Sequence, residues 1–134
     1  MSYNAIVVSP NLEIQQFFST LLSRCGLTSI CALTIREAEK ALKAAVASVI
    51  ICAENLPDGG IADVLHISRN CGAMTPVIVF SPFAGWDRYL EILRAGAFDY
   101  LLYPPANGEV QRVVLNALAH DFLERAKAAA GAAA

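Results

Sequence analysis

Five short apolar runs, each followed by a segment of helical periodicity, constrain this chain more than any other feature. The runs are Ala5–Val8, Leu27–Ala32, Val49–Cys52, Pro76–Ser81 and Tyr100–Tyr103. Val49–Cys52 and Val77–Phe80 are continuously apolar, as suits strands buried on both faces. The intervening segments read as helices. The first is capped by Asn11, runs to about Arg24 with Ile14, Phe17, Phe18, Leu21 and Leu22 on one face, and stops at Gly26. The second opens on the capping box Thr34-Ile35-Arg36-Glu37, with Glu37 reaching back, and runs to about Ala45 on a mostly alanine face with Leu42. Ile61, Val64, Leu65 and Ser68 mark the third, ending near Cys71-Gly72. Trp86, Tyr89, Leu90 and Leu93 space the fourth, stopped by Gly96. The fifth carries Val110, Val113, Val114, Ala117 and Leu118, and its pattern continues through Phe122 and Leu123 to Lys127. Strand–helix alternation with short connections implies a parallel sheet, right-handed crossovers and helices on both faces.

The 134 residues suit one domain, here drawn as 1–125, with 126–134 an alanine-rich tail that reads as linker, truncated helix or artificial extension. A net charge of −2 predicts no nucleic-acid surface. No apolar run approaches the ~20 residues that span a bilayer, and Met1–Asn4 lacks the basic start of a signal peptide. A cytoplasmic protein is the expectation. Cys25, Cys31, Cys52 and Cys71 form no C-x-x-C pair and read as reduced, mostly buried thiols. His66 and His120 have no companion ligand at metal spacing and read as surface residues.

The third run leads into Ala53-Glu54-Asn55-Leu56-Pro57-Asp58-Gly59-Gly60, a turn beyond the carboxyl end of a buried strand, where open parallel sheets gather ligands and chemistry. Together with Thr75-Pro76-Val77-Ile78-Val79 and Arg94-Ala95-Gly96-Ala97-Phe98-Asp99-Tyr100-Leu101-Leu102-Tyr103-Pro104, it resembles the receiver domain of response regulators. The resemblance covers about Asn4 to Arg125. It implies a flavodoxin-like (CheY-like) three-layer α/β/α sandwich of five parallel strands in the order 2-1-3-4-5. It also implies a place in two-component or phosphorelay signalling and a docking or dimerisation face made by the fourth helix, fifth strand and fifth helix.

The family's chemistry needs an acidic pair to hold a divalent cation, an aspartate to accept the phosphoryl group, a hydroxyl residue and a lysine. At those positions this chain has Ser9 and Pro10, Ala53, Ser81 and Tyr103. Only Ser81 matches. The expectation is a degenerate pseudo-receiver with no catalytic residue, metal or cofactor. Its pocket should be smaller, more apolar and more stable than a working one, since clustered carboxylates repel. Such a domain acts through a protein partner, a homodimer or a fused output domain. Tyr100 matches the aromatic that changes rotamer in the family, and is expected to be held in one.

Two other readings stay open. Glu54 or Asp58 retains phosphorylation, although Glu54 is offset by one residue from the acceptor position and Asp58 suits turn chemistry. Alternatively the strand ends form a small-ligand site at Ser81, without a glycine-rich phosphate loop. Phe83, Trp86 and Tyr89 suit a core, yet Phe83 and Ile92 fall off the inner stripe of the fourth helix. Exposed, those two would mark a partner surface.

Overall fold

The computed structural model describes residues 3–70, 74–83 and 85–133. The elements follow in the order β1 (Tyr3–Val8), α1 (Leu12–Arg24), β2 (Leu27–Ala32), α2 (Ile35–Ala44), β3 (Val49–Ala53), β4 (Asn55–Leu56), β5 (Gly59–Gly60), α3 (Ile61–Asn70), β6 (Val77–Ser81), α4 (Trp86–Ala95), β7 (Asp99–Leu102) and α5 (Glu109–Ala133). Five strands form one parallel sheet in the order β2-β1-β3-β6-β7. These are the five expected strands in the expected relative order, the last two numbered 6 and 7 rather than 4 and 5 because two short strands intervene. The turn after β3 folds on itself as a separate antiparallel ladder, pairing Asn55 with Gly60 and Leu56 with Gly59. A loop was expected there, because two-residue strands are too short to leave a periodic signal.

Strand alternation builds two cores. Ile6, Val8, Ile50, Cys52, Val77 and Val79 face the side covered by α2, α3 and α4. Ala5, Val7, Val49, Ile51, Ile78, Phe80 and Leu101 face α1 and α5, meeting Phe18, Leu22, Val110, Val113, Val114 and Ala117. Val49 to Cys52 are fully buried, in keeping with a continuous apolar run at the centre of a sheet covered on both faces.

Local signals set the helix ends. The Asn11 side chain accepts from the Glu13 and Ile14 amides at 2.9 and 3.1 Å, satisfying two donors that open α1. Gly26 and Gly96 take left-handed conformations, φ +84° and +117°, just past α1 and α4, where a Cβ would be strained. In α2, Thr34 accepts from the Glu37 amide at 3.2 Å, but Glu37 reaches the Leu33 amide, at 2.5 Å, one residue earlier than a capping box implies. In α3, Ile67 is buried besides Val64, Leu65 and Ser68; the expected end at Cys71-Gly72 lies outside the described residues.

The last helix runs on to Ala133, so the alanine-rich segment is helical through that point. Near its middle, the buried Asp121 pairs with Arg125 at 2.9 Å, and Arg125 donates to the Ala47 carbonyl at 3.3 Å, tying the helix to the segment that enters β3. Among the described residues no helix is long and apolar enough to cross a membrane. Of the described cysteines only Cys52 is buried; Cys25 is half-buried and Cys31 exposed, which corrects the expectation of mostly buried thiols. Cys71 lies outside the described residues. Burial pushes the Cys52 thiol up to about 12, which keeps it a protonated core residue.

Because Ile51 is wholly enclosed at the centre of the sheet, Ile51→Ala is expected to lower unfolding stability by about 2–5 kcal/mol in a denaturant titration with unchanged slope.

Candidate functional site

The carboxyl ends of β1, β3, β6 and β7 converge, and the residues there are Ser9, Ala53, Ser81 and Tyr103. Ser9 is buried, and its amide, hydroxyl and carbonyl are each engaged. Its amide donates to the Ala32 carbonyl at 2.9 Å and its hydroxyl accepts from the Asn11 amide at 3.1 Å. The buried Gln15 side chain of α1 donates to the Ser9 and Ala32 carbonyls, both at 2.9 Å. Pro10 is exposed at the start of the α1 turn. Gln15 went unseen in the sequence because a glutamine beside apolar neighbours gives no periodic signal of its burial.

Ala53 continues the Val49–Ile51 side of β3, and its methyl group joins the α1/α5 core. Tyr103 turns toward the same core. Its ring meets Phe17 edge-on at 5.4 Å and lies 6.0 Å from both Phe18 and Phe80, while Phe18 and Phe80 sit 4.8 Å apart. Such edge and tilted pairs are favourable beyond their buried area. The Tyr103 amide donates to the Ser81 carbonyl at 2.8 Å, and the peptide bond to Pro104 is cis. The buried Ser81 hydroxyl accepts from the Phe83 amide at 3.2 Å, a local backbone role.

Magnesium binds through oxygen, usually with one or two carboxylates and water. Ser9, Pro10, Ala53, Ser81 and Tyr103 supply no carboxylate, and both hydroxyl groups of the serines accept backbone amides. These residues do not fit such an ion.

The two nearby acids are engaged elsewhere. Glu54 follows Ala53 and, one step along the pleat, points the other way. Its carboxylate, 10% exposed, is held by the Nε and Nη2 of Arg88 on α4. Arg88 also meets Glu91 at 2.7 Å, and the Glu91 and Glu54 carboxylates together raise its pKa. Asp58 does more than shape a turn. Its two carboxylate oxygens accept from the Ile35 and Arg36 amides at 2.9 and 3.1 Å, capping α2 from outside its own sequence. The Ile35 amide, chiefly, holds the Asp58 carboxyl below the usual carboxylate range. Both partnerships join residues more than twenty positions apart, beyond the reach of local spacing.

Tyr100 is buried, its hydroxyl donating to the Phe83 carbonyl at 2.6 Å and its ring edge-on to Tyr89 at 6.2 Å. The fourth helix is rotated from its expected stripe. Ile92 is buried, correcting its placement off the inner face, and Trp86 is 72% exposed, correcting its assignment to the core. Phe83 is 73% exposed. Trp86 and Tyr89 stack at 5.6 Å, so the i,i+3 aromatic pair that suggests an inner face lies along the flank of the helix. His66 and His120 are exposed, the first beside Asn70 and the second against Phe98.

No protein-family model matches the chain. Response regulator protein PilR of Pseudomonas aeruginosa is 27% identical over 114 residues, covering 85% of this chain and 26% of that protein. The Francisella response regulator 1452 receiver domain is 26% identical, with a TM-score of 0.75 over 86% of this chain and 96% of that one. These likenesses support a response-regulator receiver domain, CheY-like in fold. NtrX from Brucella abortus shares the fold, at 21% identity and a TM-score of 0.84, over 96% of this chain and 30% of that one. The chain spans about a quarter of the length of the curated relatives it matches.

The depressed Asp58 pKa gives a pH signature for this receiver. A carboxylate held below its unfolded value contributes stability above the ordinary carboxylate range and loses it as pH falls through the folded value. Asp58→Asn is expected to melt below the wild type at pH 7, and the gap is expected to close as the pH is lowered past 4 in a series of thermal melts.

Proposed function

We propose that this receiver domain is a pseudo-receiver that signals by protein contact without being phosphorylated, and is not an enzyme. The observation that carries the reading is the aromatic packing of Tyr103 and the methyl of Ala53 at the strand ends. Ser9, Pro10, Ala53, Ser81 and Tyr103 then form the degenerate phosphorylation pocket. Phosphoryl transfer to a carboxylate depends on positioning and on charges that offset the phosphoryl group. An alanine and a tyrosine supply neither. Glu54 and Asp58 are poor replacements, since Arg88 already holds one oxygen of Glu54 and the α2 amides hold both oxygens of Asp58. The hydrogen bond from Tyr100 to Phe83 supports a switch aromatic held in one rotamer.

In this reading the working surface is the face of α4, β7 and α5, where Phe83, Trp86 and Leu102 are exposed. It meets a protein partner or a second copy. The much greater length of PilR and NtrX, with the continuation of α5 to Ala133, supports a fused output domain in a longer parent. The domain itself is proposed to be cytoplasmic and to bind neither nucleic acid nor membrane.

Intact mass after incubation with acetyl phosphate and magnesium tests the chemistry. No added phosphate is expected, beside a working receiver that gains one. Any stoichiometric gain overturns the proposal, and its disappearance in E54Q or D58N would identify the acceptor. The surface is tested by joint Phe83→Ser and Trp86→Ser substitution. Sedimentation is expected to show loss of self-association or partner binding, with the thermal midpoint held because both side chains are solvent-exposed.

A further inference from the structure

The fourth helix is attached to the sheet by little apolar burial. Of its ten residues only Ile92 is fully buried, and its N-cap, Gly85, makes no side-chain cap bond. Polar groups reach it from three directions. Arg88 in its first turn grips the Glu54 carboxylate at the end of β3. Tyr100 on β7 holds the Phe83 carbonyl in the approach to the helix, at 2.6 Å. Arg69 on α3 donates to the Ala95 carbonyl at the other end, at 2.9 Å. The Glu54 side chain is only 10% exposed, and its bond to Arg88 joins residues 34 apart in sequence, from the end of β3 to the helix. A carboxylate so enclosed is costly to leave without its counter-charge, so opening this pair exposes it to a penalty that an outer surface pair lacks. The second partner of Arg88, Glu91, is 65% exposed and contributes little by comparison.

We infer that Glu54 and Arg88 form a latch that seats the first turns of α4 on the end of β3. Release of the latch frees α4 together with the Trp86–Tyr89 stack it carries. A small apolar anchor and a strong ionic pin make the helix a separable unit, able to open without the sheet. The latch also sets a chemical rule for what disturbs it. A group that competes for Arg88 must be anionic, and one that competes for Glu54 must be cationic. The inference stands whether or not this surface is the docking face proposed above, since it concerns the helix alone.

Amide hydrogen exchange of the full chain tests it, comparing wild type, E54Q, R88M and E54Q/R88M. Trp86, the only tryptophan, reports in parallel through fluorescence anisotropy. Each single substitution is expected to speed exchange of the 86–95 amides by about three- to tenfold, the range for an ion pair of intermediate exposure. The amides of β3 and β6 keep their wild-type rates. The double substitution is expected to do no more than either single one, because both break one interaction. Unchanged α4 exchange in both single variants overturns the latch. So do additive effects in the double variant, or an equal rise across the sheet.

Discussion

Everything at the functional end of this molecule depends on the burial of β3 between two helical layers. A strand covered on both sides has no solvent-facing residue, so each position is committed to one core or the other. Val49 and Ile51 go to the α1/α5 side, Ile50 and Cys52 to the α2–α4 side. The alternation continues past the strand. Ala53 falls on the first side and meets an aromatic cluster, while Glu54 falls on the second and meets an arginine. A single backbone step separates an apolar site from an ionic one.

The two layers are therefore held by different forces. On the α1/α5 side, Phe17, Phe18, Phe80 and Tyr103 form a continuous aromatic contact at the strand ends. Solvent screening has little hold on such packing. On the other side α2 and α4 lean on polar groups from distant parts of the chain. Asp58 caps α2 across the β4–β5 ladder, and Glu54, Tyr100 and Arg69 each reach toward α4. The turn after β3 thus organises one helix through Asp58 and another through Glu54, a structural employment for acids that lie beside the strand ends.

Much of the architecture was legible in the residues. Continuous apolar runs marked the strands, Asn11 and Thr34 marked helix starts, and Gly26 and Gly96 marked stops, because these signals are local and physical. What escaped was non-local. The Glu37 bond to Leu33, the rotation of α4 that exposes Trp86 and buries Ile92, and the long-range roles of Glu54 and Asp58 all depend on where other elements lie. An i,i+3 aromatic spacing fits a flank as well as an inner face when the aromatics can stack on each other. At the strand ends, residue identities predicted an apolar pocket. The participation of Phe17 and Phe18 required the fold, since they come from a helix that the sequence links only to its own core.

The length of α5 has a consequence of a different kind. A helix of 25 residues, rising about 1.5 Å per residue, is a shaft rather than a tether. Asp121 and Arg125 fix its azimuth against the segment entering β3. Anything joined to its far end would inherit a set angle as well as a distance. Each residue added or removed along the exposed turns would swing that attachment by about 100° around the axis, and changes of about seven, eleven or eighteen residues would bring it back near phase.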